Sequence, residues 1–323
     1  MRLVFLGSGE FGIPTLQRIG ADHDLVCAVT QPDRPAGRSR KPVPTAVGRW
    51  ATERGLPLIK APDVNEETIV RRVADLQPDA SVVIAFGQKL GKSLVAALGG
   101  VSMNLHASLL PAYRGAAPIN WALIRGERVT GVSVISIDPR MDAGLIYGSR
   151  QLDIDPASTA GELHDSLSRL GPDLVSEVLT RVQEGRIAGV PQDEARASKA
   201  PKLSKADAWV DFGATGCEVR CRIHGLTPWP GVQATWRRKS SNDHQVLRLL
   251  RVREQPLAHH APPGTVLEDL SIAVGDGAVE LLELQKPGGR PMGAADFARG
   301  HPFVAGDRLE SGSGADAGQT VSY

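Results

Sequence analysis

The stretch that most constrains the fold of this 323-residue chain is DASVVIAFG, residues 79–87. It is an almost continuous apolar run, too short to span a membrane, and such runs are typical of parallel strands that are buried on both faces. The surrounding pattern predicts further strands over 3–6, 25–29 and 56–59, and helices over 45–54 and 66–76. Strands that alternate with helices indicate an α/β domain with a doubly wound, Rossmann-like sheet.

Another predicted strand, residues 101–106, carries two polar side chains near its end. The sequence VSMNLH alternates apolar and polar residues, so Asn104 and His106 project from the same face. An amide donor beside an imidazole is suited to stabilising a developing oxyanion, and histidine can move a proton near neutral pH. Asp142 follows a further strand, residues 131–137, and a carboxylate there would orient the imidazole or accept a proton. Without that carboxylate, a structural hydrogen-bonded pair is the better explanation of Asn-x-His.

Residues 7–12, GSGEFG, match the glycine pattern of dinucleotide-binding folds. A nicotinamide site also needs an acidic residue at the tip of the second strand. The strand over 25–29 instead runs into Thr30, and Asp33 comes late, in a turn. We therefore interpret the glycines as a tight turn that opens a helix.

The three cysteines predict neither a disulfide framework nor a metal site. Cys27 lies in an apolar strand and is expected in the core. Cys217 and Cys221 are one helical turn apart, and no fourth ligand stands at a suitable spacing for zinc.

The net charge of +1 conceals a strongly basic segment. Residues 196–253 carry twelve Lys and Arg against four Asp and Glu, which is +8 and leaves −7 for the rest of the chain. Residues 31–44 hold four prolines and four cations, and we expect an exposed, mobile loop there. Both features suit a polyanion such as a nucleic acid. On charge alone, a solvated basic face explains the segment equally well.

The second half of the chain predicts a different architecture. Residues 159–183 form one long amphipathic helix in this interpretation, and 184–200 lose periodicity. Short strands over 233–236, 246–250, 264–267, 271–274 and 278–282 indicate a small β-barrel of the oligonucleotide-binding (OB) type. The predicted organisation is a catalytic domain over 1–184, a linker over 185–205, an OB-like domain over 206–305 and a disordered tail over 306–323.

The run NLHASLLPAYRGAAP, residues 104–118, with Asp142 downstream, resembles the methionyl-tRNA formyltransferases. These enzymes belong to the wider family that uses 10-formyltetrahydrofolate. The resemblance extends to KLSK at 202–205, TPWPG at 227–231 and GRPM at 289–292, and it covers roughly residues 1–305.

The resemblance implies transfer of the formyl group of 10-formyltetrahydrofolate, a co-substrate, to the α-amino group of methionine on initiator methionyl-tRNA, for translation initiation. Asn104 and His106 would stabilise a tetrahedral intermediate with the assistance of Asp142. No metal is needed, because the amine itself is the nucleophile. Since no apolar run is of membrane-spanning length and the N-terminus reads as a strand, we expect a cytoplasmic protein without membrane attachment. We also expect a monomer, although the sequence itself does not give the oligomeric state.

The resemblance also assigns binding residues. The expected folate contacts follow three strand ends: Phe86, Gly87, Gln88, Leu90, Ser108, Leu109, Leu110, Pro111 and Asp138. The expected tRNA contacts are cations of the 31–44 loop and of the basic segment: Arg34, Arg38, Arg40, Lys41, Lys202, Lys205, Arg237, Arg238 and Lys239.

Three alternatives stay open at this point. A formyltransferase for a small amine, such as a nucleotide sugar or glycinamide ribonucleotide, would share the chemistry but need neither the basic segment nor the basic loop. A nicotinamide oxidoreductase would be built on residues 7–12. A non-catalytic RNA-binding protein would use the basic segment but leave Asn104, His106 and Asp142 unexplained.

Overall fold

The computed structural model describes residues 1–36, 41–241 and 243–312. The chain forms two compact units that interleave along the sequence. The first unit consists of Met1–Gly115, Thr130–Leu152 and His164–Lys199, and the second consists of Ala116–Val129, Asp153–Leu163 and the residues from Ala200 onward. The predicted domains, with one boundary at 185–205, differ from these units in the placement of the two short segments 116–129 and 153–163.

The strands up to residue 200 are β1 Arg2–Gly7, β2 Asp24–Thr30, β3 Arg34–Ala36, β4 Lys41–Val43, β5 Leu58–Lys60, β6 Ala80–Ile84, β7 Val101–His106, β8 Arg114–Gly115, β9 Val129–Ser136, β10 Ile146–Asp153 and β11 Lys199–Ala200. Seven of them form one sheet in the order β10-β9-β7-β6-β1-β2-β5. The five strands from β7 to β5 in this order are parallel, and β9 is antiparallel to β7. The predicted α/β class is confirmed for this unit.

The helices are α1 Ile13–Asp22, α2 Ala46–Glu53, α3 Glu67–Ala74, α4 Lys92–Ala97, α5 Pro118–Ile124, α6 Ala160–Ser168, α7 Gly171–Gln183, α8 Gly216–Gly225 and α9 Ala294–Gly300, with short 3-10 turns at Glu10–Gly12, Glu194–Arg196 and Lys205–Asp207. The prediction of one helix over 159–183 is wrong, because α6 ends before α7 begins. Pro172 lies in the first turn of α7. A proline there lacks the N–H that a continuous helix would need and disfavours a helical residue before it. None of the helices in the described ranges has the length and hydrophobicity to cross a membrane.

Strand β1 lies between β6 and β2 inside the sheet, and its side chains from Leu3 to Leu6 are fully buried. A Cβ at Gly7 would lie 2.8 Å from the carbonyl oxygen of Ile84, so the close approach of β1 and β6 requires a glycine. A 3-10 turn and helix α1 follow, as the interpretation of residues 7–12 as a turn predicts. The chain reverses its direction of strand addition between β1 and β6. Open α/β sheets bind ligands beyond the carboxyl ends of such strands.

The second unit contains an antiparallel sheet built from β12 Val232–Arg237, β13 His244–Gln255, β14 Ile272–Val274, β15 Gly277–Gln285, β16 Pro291–Gly293 and β17 Arg308–Glu310. The main order is β14-β15-β13-β12-β17, and β16 pairs with β15. Single bridges from Thr265 to Arg308 and from Val266 to Ile272 connect the two edges. The sheet is therefore nearly closed, which confirms the predicted barrel.

Two predictions at the ends of barrel elements need correction. Residues 264–267 form only the two isolated bridges instead of a strand. The segment 306–323 was expected to be disordered, but Arg308–Glu310 pairs with β12. The side chain of Leu309 in that strand is 1% exposed and joins the barrel core with Trp236, so burial of an apolar residue orders it. Residues 313–323 lie outside the described ranges.

Candidate active site

His106 is the last residue of β7, and its side chain is 6% exposed. Its Nε2 lies 2.9 Å from the carbonyl oxygen of Tyr113. A carbonyl oxygen only accepts hydrogen bonds, so Nε2 must carry a proton and donate it. The other ring nitrogen, Nδ1, lies 3.7 Å from Oδ2 of Asp142. The imidazole therefore has one nitrogen held by the backbone and the other directed at a carboxylate.

Asp142 lies in the loop between β9 and β10, with a backbone φ of +53°. Its Oδ2 accepts a hydrogen bond of 2.9 Å from the backbone N–H of Gly115. Its Oδ1 makes no hydrogen bond with any residue that the structure describes. The carboxylate is thus fixed through one oxygen, and the other oxygen can accept a proton.

Asn104 lies two residues before His106 on β7, with Ile135 and Ser133 opposite the two residues on β9. The two side chains are therefore on the same face of the strand. Within the described ranges the amide of Asn104 forms no hydrogen bond. It is a partly buried donor without a hydrogen-bond partner among these residues.

The turn after β7 is stabilised by Ser133, a fully buried residue of β9. The Ser133 hydroxyl donates to the carbonyl of Ser108 at 2.8 Å and accepts from the N–H of Leu110 at 3.1 Å. The Ser108 hydroxyl in turn donates to the carbonyl of Ala112 at 2.6 Å. These bonds fix the turn that brings the Tyr113 carbonyl to His106. Sequence reasoning missed Ser133, because a serine inside an apolar strand gives no signal of its own.

The predicted folate loop after β6 presents mainly backbone. Ala85 and Gly87 are exposed and have φ values of +47° and +78°. The Phe86 side chain is 3% exposed and packs in the core, whereas its carbonyl oxygen accepts from Nε2 of Gln31 at 2.7 Å. A folate contact by Phe86 would therefore be made by its backbone.

The Gln88 side chain is also occupied within the protein. Its Oε1 accepts from the N–H of Val64 and its Nε2 donates to the carbonyl of Ala61, both at 2.8 Å. Gln88 therefore fixes the loop. Leu90 is partly buried and packs against the same core cluster as Phe86.

The remaining predicted folate residues differ in accessibility. Ser108 and Leu110 are buried, while Leu109 and Pro111 are partly exposed. Asp138 is partly exposed, and its Oδ1 accepts from the N–H of Arg140 at 2.8 Å. All of these assignments stay predictions.

The basic loop over 31–44 contains a short ribbon, because β3 pairs with β4. Arg34 and Lys41 lie on this ribbon and are exposed, and Arg34 donates to Oε1 of Gln31 at 2.5 Å. Arg38 and Arg40 lie outside the described residues. As Gln31 also binds the Phe86 carbonyl, the base of the ribbon is connected to the loop after β6.

In the fold, acidic residues from outside the basic segment pair with some of its cations and offset part of its positive charge. Arg251 pairs with Glu162 at 2.7 Å, and Arg237 with Glu310 at 2.5 Å. Both acids lie outside residues 196–253. Four predicted tRNA-binding cations form no ion pair within the described ranges: Lys202, Lys205, Arg238 and Lys239.

Cys217 and Cys221 lie on α8 with their sulfur atoms 4.0 Å apart, and both thiols are free, as the helical interpretation predicts. Burial raises the pKa of the Cys221 thiol to about 11. The described part of the chain contains no group of three or more His, Cys, Asp or Glu side chains that could hold a metal.

Comparison with known proteins adds family information to this geometry. The family model described as "Formyl transferase" matches residues 1–179, and the model described as "Formyl transferase, C-terminal domain" matches residues 202–302. The methionyl-tRNA formyltransferase of Methylococcus capsulatus is 39% identical over 313 residues, covering 96% of this chain and 99% of that protein. The one from Heliobacterium modesticaldum is 38% identical over 322 residues, with 96% and 100% covered.

Solved structures share the fold at lower identity. HypX from Aquifex aeolicus in complex with tetrahydrofolic acid has a TM-score of 0.61 at 17% identity, covering 92% of this chain and 47% of that chain. An N-formyltransferase from Helicobacter canadensis, in complex with folinic acid and dTDP-3-aminofucose, has a TM-score of 0.62 at 16% identity, with 86% and 97% covered.

Proposed function

The chain belongs to the formyl transferase family, and from this premise we propose that it formylates initiator methionyl-tRNA. The formyl group of 10-formyltetrahydrofolate is transferred to the α-amino group of methionine. Relatives named for this reaction match over nearly their whole length, including the second unit, which supports the acceptor. The observation that carries the chemistry is the approach of His106 and Asp142 to 3.7 Å, on the strand face that also carries Asn104, whose amide forms no hydrogen bond within the described ranges.

The first unit fits a folate in one specific respect. The loops after β1 and β6 lie where the strand order reverses, and the loop after β6 exposes backbone groups at Ala85 and Gly87. Exposed backbone donors and acceptors are suited to the edge of a pterin ring. The bound co-substrate would supply the activated formyl group.

The reaction is an attack of a neutral amine on a formyl carbon, which places negative charge on the formyl oxygen. We assign the stabilisation of this oxygen to the Asn104 amide and to Nδ1 of His106 when that nitrogen is protonated. Nε2 cannot take this role without leaving the Tyr113 carbonyl. The proton that the amine loses goes to Asp142, whose Oδ1 has no hydrogen bond within the described residues. As the tetrahedral intermediate collapses, the bond between the formyl carbon and N10 breaks, Asp142 passes this proton to N10, and tetrahydrofolate leaves. This is a direct transfer without a covalent enzyme intermediate.

The second candidate acceptor is a small amine such as an amino sugar. It is favoured only by fold neighbours at 16% identity, and these establish the fold alone. The four cations of the second unit that form no ion pair within the described ranges are suited to a phosphate backbone and would have no partner in a small acceptor.

The test measures formylation of charged initiator tRNA by the full-length chain. Full length is required because α5 packs on α8 within the second unit, and Asn120 donates to the carbonyl of Gly225 at 2.7 Å. A fragment that ends at residue 205 would lose this packing. The wild type should transfer formyl to methionyl-tRNA and not to a dTDP-amino sugar.

The matched variants are Asp142→Asn and Asp165→Asn. Asp165 also contacts a histidine, His164 Nδ1 at 2.9 Å, but its side chain is 69% exposed. We expect Asp142→Asn to lower kcat on the order of 10²-fold and Asp165→Asn to leave it unchanged. Transfer to the amino sugar alone would refute the proposed acceptor, and equal activity of the two variants would refute the proposed role of Asp142.

A further inference from the structure

Gln192 lies in the segment that the sequence predicts to be a linker, but its side chain reaches the loop that carries Asp142. Its Nε2 donates to two backbone carbonyls, those of Asp142 and Gly144, each at 2.8 Å. The backbone of this loop needs such support, because Asp142 has a left-handed φ of +53° that non-glycine residues rarely adopt. The Gln192 amide thus binds the backbone carbonyls of the two residues that flank Ala143, one of which is the proposed catalytic residue.

The other end of the same side chain is also fixed. Its Oε1 accepts from Arg114 at both Nε, 2.9 Å, and Nη2, 2.7 Å. Arg114 in turn donates to Glu194 at 2.9 and 3.1 Å, and its side chain is 14% exposed. The next residue, Gly115, donates to the Asp142 carboxylate. Hence Arg114 and Gln192 hold the loop from two directions.

We propose that Gln192 is a positioning residue for Asp142, a role that rests on the proposed function of Asp142 in the transfer. Gln192 forms no hydrogen bond with any of the three proposed catalytic side chains. It acts by holding the backbone from which the Asp142 carboxylate extends toward Nδ1 of His106.

The role requires an amide specifically. The oxygen must accept from a guanidinium while the nitrogen donates to two carbonyls, and only glutamine or asparagine has both groups in one plane. Asparagine is one methylene shorter and cannot span the same distance. Glutamate keeps the contact with Arg114 but places an oxygen against two carbonyl oxygens. Methionine keeps the volume and loses every hydrogen bond.

The position of Gln192 gives the segment 185–205 a structural role at the proposed site. Although it contains none of the proposed catalytic side chains, it supplies a part of the active-site framework. Removal of the segment should therefore abolish organisation of the Asp142 loop even with Asn104, His106 and Asp142 intact.

The experiment is a double-mutant cycle in the full-length chain, with Gln192→Glu, Gln192→Met, Asp142→Asn and the two combinations. We expect each Gln192 variant to lower kcat on the order of tenfold to hundredfold, with the KM of both substrates changed by less than about threefold. In the Asp142→Asn background the same substitutions should lower kcat by less than about threefold, because the residue they position is already inactive.

The matched control is Gln285, which likewise accepts from an arginine, Arg248 at 3.4 Å, and donates to a backbone carbonyl, that of Gly289 at 2.8 Å. Gln285→Glu and Gln285→Met should leave kcat unchanged. Amide hydrogen exchange supplies a readout besides activity: exchange in residues 138–145 should rise in Gln192→Met and stay unchanged in Gln285→Met.

A positioning role is refuted if the Gln192 and Asp142 effects on kcat multiply, or if exchange in residues 138–145 is unchanged. The cycle can be completed with either Gln192 variant alone, so the failure of one of them to fold does not end the test. If the wild type formylates a different amine, the proposed acceptor fails, and the cycle is read with that amine instead.

Discussion

The proposed active site in the first unit and the cations of the second unit that form no ion pair within the described ranges differ in how their side chains are held. At the proposed active site, His106, Asp142 and Gln192 are each bound to backbone groups at distances of 2.8 to 2.9 Å. On the second unit, Lys202, Lys205 and Lys239 form no ion pairs within the described ranges, and all three are exposed. Transfer of a formyl group needs atoms at fixed positions, whereas attraction of a polyanion needs only charge.

The largest expected effect follows from removing a side chain of the proposed active site. His106→Ala removes the proposed donor to the formyl oxygen, and we expect kcat to fall about 10²- to 10³-fold with little change in the KM for methionyl-tRNA. The measurement is steady-state formylation at saturating co-substrate. His164→Ala serves as the control, since it removes a histidine from a His–Asp contact on the surface. A rise in KM with kcat preserved would show that His106 only binds substrate.

The second prediction is that the stability of the second unit depends on one fixed polar residue, His224. Burial, together with the charges of Arg220 and Arg251, lowers the pKa of His224 to about 4 from 6.5. The side chain is 1% exposed, and its Nε2 accepts from the N–H of Val252 at 3.1 Å, so it is held in the neutral form. The unfolded chain binds a proton more readily than the folded one, and stability is therefore lost as pH falls from 6.5 toward 4.

For His224 the full loss amounts to about 3 kcal/mol of unfolding free energy. Urea unfolding between pH 7 and pH 4, followed by far-UV circular dichroism, measures it. His224→Gln should flatten this pH dependence relative to the wild type. An unchanged slope in the variant would assign the acid sensitivity to other groups.

The third prediction concerns a variant that lacks all four of the cations without an ion pair in the described ranges. The combined Lys202→Ala, Lys205→Ala, Arg238→Ala and Lys239→Ala variant should raise the KM for tRNA by about tenfold or more while kcat at saturation stays within about twofold. The slope of log affinity against log salt should fall by roughly 0.7 to 0.9 for each tRNA phosphate that the variant no longer neutralises. A salt slope equal to that of the wild type would exclude these residues from the tRNA interface.

The smallest expected effect is a difference in tRNA affinity between the loss of a cation in an ion pair and the loss of one that forms no ion pair within the described ranges. Arg237 binds Glu310 at 2.5 Å, so its charge is partly offset before any tRNA arrives. We expect Lys239→Ala to weaken tRNA binding by about threefold and Arg237→Ala by less than about twofold. Glu310→Gln frees Arg237 and should tighten binding slightly. Filter binding at low salt measures all three, and equal losses of affinity for the two cations would contradict the distinction.

The sequence predicted those features that periodicity and local motifs encode. The strand over 101–106 is found with the same bounds, and the apolar run at 79–87 is central in the parallel sheet. His106 and Asp142, predicted from a motif and a strand end, lie within 3.7 Å.

The supporting residues of the site could not be predicted in the same way. The bonds from Gln192 to Asp142 and from Ser133 to Ser108 join residues 50 and 25 positions apart, and they follow no repeat. A lone glutamine in an aperiodic segment looks like any solvated residue. The pairing of Arg251 with Glu162 was hidden for the same reason, so the charge of the basic segment was overestimated from the sequence.

The division between chemistry in the first unit and charge in the second is tested most directly by single-turnover formylation at saturating methionyl-tRNA. The His106→Ala variant should form product at least about 10²-fold more slowly than the wild type. The four-cation variant should reach within about twofold of the wild-type rate, because saturation restores the complex that its missing charges disfavour. Equal slowing of both variants at saturation would contradict the division.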